Sequence, residues 1–126
     1  MKLRQLEELP GLIAGKRAVV AHGCFDILRA EHLRHLEGVR RRGDLLVVAV
    51  YDDRSPSATN GLPILNAAER VALISALRCV DYAVVIDELQ VGHMLDVLQP
   101  VASEKEPPTS DVVRRIQQIH ESPGRP

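Results

Sequence analysis

The residues able to do chemistry are concentrated in the stretch AHGCFDILRAEH, residues 21–32. This stretch places two imidazoles, a thiol and two carboxylates around Gly23. A glycine in a turn lets the backbone approach a phosphate closely, and a helix that starts after the turn directs its N-terminal amides at an anion. Many plain structural turns share this pattern, so the residues alone leave phosphate binding and a structural turn both open.

Three apolar runs, AVVAH, LLVVAVYDD and YAVVI, begin at residues 18, 45 and 82. Each is apolar on successive residues, which is typical of strands covered on both faces in a parallel sheet. Helical patterns alternate with them. The alternation predicts an α/β fold, a Rossmann-like doubly wound parallel sheet with helices on both faces. Such sheets bind ligands at the carboxyl ends of their strands, and the first strand ends at HGCFD.

The helical patterns cover residues 31–42, the segment after Asn66, residues 89–98 and residues 111–120. In the first of them, Leu33, Leu36 and Val39 share the predicted buried face. Asn66, followed three positions later by Glu69, predicts a capped helix start.

The length of 126 residues and the 45% apolar content predict one domain over residues 1–126. Leucines at threefold spacing predict a leading helix within residues 1–16, and residues 121–126 are expected to form a flexible tail. Between Pro100 and Pro107 the polar sequence predicts a connector.

Composition excludes several classes of function. One Phe, two Tyr and no Trp leave little material for stacking bases, and the net charge is −1, so nucleic acid is not an expected partner. The basic run at residues 40–42 suits a helix terminus.

Cys24 and Cys79 lack the spacing of metal ligands, so no metal ligand is predicted. No apolar run approaches the ~20 residues of a membrane span, and we expect a cytoplasmic protein without membrane contact.

Two segments resemble the cytidylyltransferase-like nucleotidyltransferases: GCFDILRAEHLRHLEGVRRRGDLLVVAVYDDRS and GLPILNAAERVALISALRCVDYAVV. The resemblance is strongest to the adenylyltransferase domain of ADP-heptose synthase and to glycerol-3-phosphate cytidylyltransferase. It implies that a sugar or polyol phosphate attacks the α-phosphorus of a nucleoside triphosphate and releases pyrophosphate, with Mg²⁺ as cofactor. Catalysis would then rest on positioning and charge neutralisation, without a covalent enzyme intermediate.

The fingerprint of this family is a GxFD turn followed by HxGH at the start of the first helix. The turn is intact as Gly23, Cys24, Phe25 and Asp26. The second part is RAEH, with Arg29 in place of the first histidine, Glu31 in place of the glycine, and His32 retained. An arginine can bind phosphate oxygens but cannot donate a proton.

Glu31 is expected to obstruct a triphosphate, since a like-charge contact at ~4 Å costs on the order of 4 kcal/mol at an effective dielectric near 20. Two alternatives remain open for this residue. Glu31 could simply favour the helix start and pair with Arg34 or His35. It could also bind a cation or a less anionic ligand.

The resemblance implies further site residues. Arg70 would contact the triphosphate and act in catalysis with His32 and Arg29, while Asp53, Thr109 and Ser110 would bind nucleotide or phosphate. His22 could reach the phosphate region or be a buried, hydrogen-bonded histidine. Two family features are absent from the sequence: a lysine before an RPI segment, where Leu62 replaces the arginine, and a glycine-acid segment after residue 100. This gap implies a shortened C-terminal part.

Two functions from different classes remain. The chain is either an active nucleotidyltransferase with altered chemistry or a catalytically silent module that binds a nucleotide or regulates a partner. In both cases the expected small-molecule partner is a nucleoside triphosphate or another phosphate-containing compound. The resemblance also implies a homodimer that uses residues near Arg78 to Tyr82.

Overall fold

The fold is a parallel sheet of four strands in the order β3-β2-β1-β4. In this computed structural model, which describes residues 1–56, 63–107 and 119, the strands are β1 (Ala18–Gly23), β2 (Leu45–Tyr51), β3 (Tyr82–Ile86) and β4 (Ala102–Lys105). Every residue of β2 is buried, as the continuous apolar run predicted. The predicted doubly wound α/β sheet is therefore confirmed.

Helices cover both faces of the sheet. They are α1 (Leu9–Ile13), which follows a 3₁₀ turn at Leu6–Glu8, α2 (Ala30–Arg40), α3 (Ala67–Ser75), and α4 (Val91–Leu98), which follows a 3₁₀ turn at Glu88–Gln90. One apolar core lies between the sheet and α2 with α3, around Leu36 and Ile74. A second core lies on the other face, between the sheet and α1 with α4, around Leu9 and Met94. Within the described residues, no helix is long and apolar enough to cross a membrane.

The predicted helix positions agree closely with the structure. Asn66 caps α3, because its side-chain oxygen accepts a hydrogen bond from the Glu69 amide at 2.9 Å. In α2, Leu36 and Val39 are buried as predicted, but Leu33 is 38% exposed. The predicted helix 111–120 lies outside the described residues, apart from residue 119, and so does the predicted tail.

The leading segment is only partly helical. Residues 2–4 are extended and cover the outer edge of β3, where the Arg4 amide donates to the Ala83 carbonyl at 2.8 Å and the Ala83 amide donates to the Lys2 carbonyl at 2.9 Å. The free polar groups of an edge strand explain the difference, since they offer the chain hydrogen bonds that compete with a longer helix.

The predicted connector between Pro100 and Pro107 contains a strand, so that prediction was wrong. β4 pairs in parallel with β1, with Ala102 opposite Val19 and Lys105 opposite His22. Half-buried and exposed residues alternate along β4, as in an edge strand with one solvated face. Because the residues of β4 are largely polar, the sequence pattern did not identify it as a strand. The pairing brings Glu106 beside the turn that follows β1.

Candidate phosphate site

The turn after β1 lies at the switch point of the sheet. The chain leaves β1 toward β2 on one side, and β4 joins on the other, so the ends of β1 and β4 lie where open α/β sheets form a ligand-binding crevice. Two residues of the turn, Phe25 (φ +52°) and Ile27 (φ +53°), have left-handed backbone conformations. Such conformations cost roughly 1–3 kcal/mol each and persist where the surroundings enforce them. Phe25 is 1% exposed, so the core holds the turn in place.

Three hydrogen-bond donors converge in this crevice, and we call them the anion cradle: the backbone amides of Cys24 and Phe25 and Nε2 of His32. All three contact the carboxylate of Glu106. Oε1 accepts from the Cys24 amide at 3.0 Å, and Oε2 accepts from the Phe25 amide at 3.1 Å. Oε2 also lies 3.0 Å from His32 Nε2. The three donors therefore hold an anionic side chain of the protein itself.

The tautomer of His32 follows from its second ring nitrogen. The Arg29 backbone amide donates to Nδ1 at 3.1 Å, so Nδ1 is an acceptor and the proton of the neutral ring lies on Nε2. The side chain is 8% exposed and is held edge-on against Phe25. The start of α2 therefore fixes His32 as a donor directed into the crevice.

Gly23 is required by the close approach of β4. A Cβ at this position would collide with the Glu106 side chain. The sequence predicted a glycine that lets the backbone approach an anion, and in the structure the anionic side chain of Glu106 lies against it.

Arg70 supports the turn from its other side and is completely buried. Its Nη1 donates to the carbonyls of Cys24 at 2.7 Å and Tyr51 at 2.8 Å. Nε donates to the Leu65 carbonyl at 2.9 Å, and Nη2 pairs with Asp53 at 2.8 Å. The guanidinium thus ties the turn to the end of β2 and to the start of α3.

The two aspartates expected at the site also bind backbone. Asp26 is 5% exposed and accepts from the amides of Ile64 at 2.7 Å and Leu65 at 3.0 Å. Asp53 accepts from the Ala67 amide at 3.1 Å besides its ion pair with Arg70. Both carboxylates therefore fix the chain at the start of α3.

Arg29 and Glu31 lie at the solvent-exposed start of α2. Their side chains are 38% and 41% exposed, and Arg29 Nε lies 3.5 Å from Glu31 Oε1. Pairing with Arg34 or His35 was one of the two alternatives for Glu31, and that pairing is corrected by the structure: the partner is Arg29, the residue that precedes α2.

His22 lies on the face of the sheet covered by α1 and α4, whereas His32 lies on α2 at the other face. His22 Nδ1 is 2.6 Å from the Tyr51 hydroxyl. Burial lowers the pKa of His22, the nearby Lys105 ammonium lowers it further, and Glu88 opposes both effects. The structure thus places His22, which is half-buried, in a hydrogen bond with Tyr51.

The Cys24 thiol is unsuited to nucleophilic chemistry. Burial, followed by the Glu106 carboxylate, raises the pKa of this thiol to about 12, so it stays protonated at neutral pH. Cys24 serves the site through its backbone, since its amide contacts Glu106 and its carbonyl contacts Arg70.

Thr109, Ser110 and Leu62 lie outside the described residues. The residue that sequence reasoning missed is Glu106. The only signal for it would have been the strand at 102–105, since pairing of that strand with β1 is what carries a residue 82 positions from Cys24 into the turn.

The fold is a Rossmann-like α/β fold, and the turn at its switch point binds the carboxylate of Glu106. Residues 20–121 match the model of the family described as cytidylyltransferase-like. The chain belongs to this family, and the resemblance seen in the sequence is confirmed.

Similar proteins agree with this assignment. The chain is 37% identical over 111 residues to the bifunctional protein HldE of Geobacter sulfurreducens and 40% identical over 88 residues to that of Syntrophotalea carbinolica. These matches cover 82% and 68% of this chain but only 23% and 18% of the relatives, so the chain spans less than a quarter of their length. The crystal structure of a lipopolysaccharide core biosynthesis protein from Thermoplasma volcanium matches with a TM-score of 0.66 and 31% identity. That match covers 85% of this chain and 88% of the other.

Proposed function

We propose that the cradle binds a phosphate group of a nucleotide or of another phosphate ester. The observation that supports this most directly is the position of the Glu106 carboxylate. It accepts hydrogen bonds from the cradle amides and from the His32 imidazole. Phosphate oxygens accept the same kind of hydrogen bond as carboxylate oxygens. The location of the cradle at the switch point, beyond the carboxyl end of β1, adds support.

The reaction that family membership favours is nucleotidyl transfer from a nucleoside triphosphate to a sugar or polyol phosphate. An oxygen of the acceptor phosphate would form a bond to the α-phosphorus, and the bond to the departing pyrophosphate would break. The chain would contribute positioning and neutralisation of charge. His32 Nε2 and the two cradle amides would donate to phosphate oxygens, and Arg29 would supply a permanent cation at the start of α2. The similarity to a lipopolysaccharide core biosynthesis protein supports a sugar phosphate as acceptor.

Arg70 takes a positioning role in this proposal. The resemblance assigns it to the triphosphate, but its guanidinium is buried and makes four hydrogen bonds to described residues. By holding the Cys24 carbonyl, it fixes the direction of the amides on the opposite side of the turn.

Mg²⁺ is proposed to arrive with the nucleotide. Among the described residues, no group of three or more histidines, cysteines or carboxylates could hold a metal ion. Mg²⁺ commonly binds through substrate phosphates and one or two carboxylates, so a ready-made protein cage is not required. Such an ion would neutralise charge on the phosphates.

A catalytically silent module is the second candidate, and two specific observations favour it. Glu106 already fills the cradle, and Arg29, which cannot donate a proton, replaces the first histidine of the motif. Such a module would bind a nucleotide or regulate a partner without turnover.

Calorimetry with ATP, CTP, GTP and UTP in the presence of Mg²⁺ tests binding, and pyrophosphate release with sugar phosphates tests transfer. We expect His32→Asn to weaken binding of the preferred triphosphate by about 10- to 100-fold, because a hydrogen bond to a charged group contributes roughly 1.5–3 kcal/mol. His93→Asn is the matched control, since His93 is exposed on α4.

Each result has a definite meaning. Pyrophosphate release that depends on an acceptor supports the transferase, whereas binding without release supports the silent module. If no nucleotide or phosphate ester binds, or if His32→Asn binds as tightly as wild type, phosphate binding by the cradle is wrong.

We also propose a homodimer through the segment 78–82, as the family resemblance implies. Residues 2–4 cover the edge of β3 at Ala83. Beyond them lies apolar surface that a second copy would cover, since Val85 is 37% exposed and Leu73 on α3 is 45% exposed. Light scattering is expected to give twice the chain mass of 13.9 kDa. A mass of one chain at high micromolar concentration would exclude the dimer.

A further inference from the structure

We infer that Glu106 is an internal competitor for the cradle, which a phosphate ligand must displace before it binds. This inference rests on the proposed function. Glu106 satisfies all three cradle donors at once, with distances of 3.0–3.1 Å, so an incoming phosphate finds no free donor in this group. The site is therefore autoinhibited by a residue from a distant part of the chain.

The backbone of Glu106 is held independently of its side chain. Its amide donates to the His22 carbonyl at 2.8 Å, which continues the pairing between β4 and β1. The carboxylate can therefore leave the cradle by rotation of side-chain bonds alone. Its side chain is 16% exposed, so the crevice reaches solvent on that side. Displacement thus requires no unfolding of β4.

The same contacts explain why ligand and Glu106 exclude each other. Two anionic groups would have to share the amides of Cys24 and Phe25, and like charges at this distance repel. An internal competitor lowers apparent affinity by the fraction of molecules whose cradle is open. Phosphate binding should therefore be weak in the wild type and stronger once the carboxylate is removed.

Glu106→Ala tests this inference, with Glu104→Ala as the matched control. Glu104 lies on β4 two residues before Glu106, carries the same charge and pairs with Arg42 at 2.7 Å near the surface. Calorimetry with inorganic phosphate and with ATP plus Mg²⁺ should show affinity at least about tenfold higher for Glu106→Ala than for wild type. Glu104→Ala should change affinity by less than about twofold, and Glu106→Gln should fall between wild type and Glu106→Ala.

The outcomes separate this inference from the proposed function. Equal affinity of wild type and Glu106→Ala would overturn the competitor while leaving phosphate binding in place. Equal tightening by Glu104→Ala would assign the effect to net charge and also overturn it. If no variant with a native unfolding transition binds either probe, the proposed function fails and the competitor fails with it. Should Glu106→Ala not fold, the comparison of Glu106→Gln with wild type decides by the same criterion.

Discussion

The turn after β1 holds a charged side chain on each of its two sides, and the two are bound very differently. On one side the Cys24 carbonyl accepts from Arg70, which is fully buried. On the other side the Cys24 amide donates to Glu106, whose side chain is 16% exposed. Arg70 reaches three separate parts of the chain, whereas Glu106 enters from the end of an edge strand. Arg70 is therefore part of the framework, and Glu106 is an occupant that a ligand can replace.

This difference shows how a charged residue near a site can be assigned a role. If a buried cation moves away from the backbone carbonyls that bind it, those carbonyls stay buried without a hydrogen-bond partner. Each such unpaired group costs about 1–3 kcal/mol. A carboxylate at the rim of a crevice can exchange its donors for water. The comparison can be tested on each side of the turn separately.

The largest effect is expected from Arg70→Met, which keeps much of the side-chain length but removes every donor. Loss of one partner from a buried, hydrogen-bonded charge network typically destabilises a protein by about 3–5 kcal/mol. Urea denaturation should show a loss of that size. Arg54→Met, at an exposed arginine in the turn after β2, is the control and should change stability by less than about 0.5 kcal/mol.

Asp53→Asn separates the ion pair of Arg70 from its bonds to backbone carbonyls. The Asp53 side chain is 49% exposed, so solvent screens the ion pair, and Asp53→Asn should lower the free energy of unfolding by at most about 1 kcal/mol. A stability of Arg70→Met within about 1 kcal/mol of wild type would remove Arg70 from the framework.

A smaller effect is expected from Glu31→Gly. From the sequence, this carboxylate was expected to obstruct a triphosphate and to cost several kcal/mol. In the structure it is 41% exposed and lies beside the Arg29 guanidinium, so solvent and the counter-charge reduce its repulsion. Binding of ATP or CTP, measured by calorimetry, should tighten by no more than about tenfold, which corresponds to about 1.4 kcal/mol.

Comparison with Glu106→Ala sharpens this second test. If Glu31→Gly tightens binding more than Glu106→Ala does, then Glu31 at the start of α2, not Glu106, is the main obstacle. A weakening by Glu31→Gly would instead identify Glu31 as a ligand, through Mg²⁺.

The sequence predicted those features that depend on residues close together in the chain, and missed those that depend on contacts between distant residues. The runs at 18–22, 45–53 and 82–86 predicted three strands correctly, because strands buried on both faces leave a continuous apolar pattern. The cap at Asn66 was predicted from adjacent residues alone. β4 was missed because an edge strand with a solvated face can be largely polar.

The same distinction applies to the site. The position of the turn and its glycine followed from a short local pattern. Glu106 could not be predicted, since its contact with Cys24 spans 82 positions and depends on the pairing of β4 with β1. The partner of Glu31 was mispredicted because helical spacing was assumed, whereas Arg29 precedes the helix.

The smallest effect concerns His22, which belongs to neither side of the turn. Its pKa in the folded protein is lowered, first by burial, so the unfolded chain binds the proton more readily. Stability should therefore fall as the pH decreases through the ordinary value of 6.5, until the lowered pKa of the folded state is passed. His22→Asn should flatten this part of the stability profile in urea titrations. His93→Asn is the exposed control, and an unchanged slope in His22→Asn would refute the assignment.

The central claim is that the amides of Cys24 and Phe25 form the phosphate site, and amide-resolved NMR tests it most directly. Wild type and Glu106→Ala, labelled with ¹⁵N, would be titrated with ATP plus Mg²⁺. The alternative location for ATP is a cleft at the opposite end of the sheet, lined in part by Lys2, Arg4 and Lys16 together with Asp44 and Asp81. We predict saturable shifts of the Cys24 and Phe25 amide resonances, with saturation at lower ATP concentration in Glu106→Ala. Unmoved Cys24 and Phe25 resonances, with saturable shifts at Lys2 and Lys16 instead, would contradict the account.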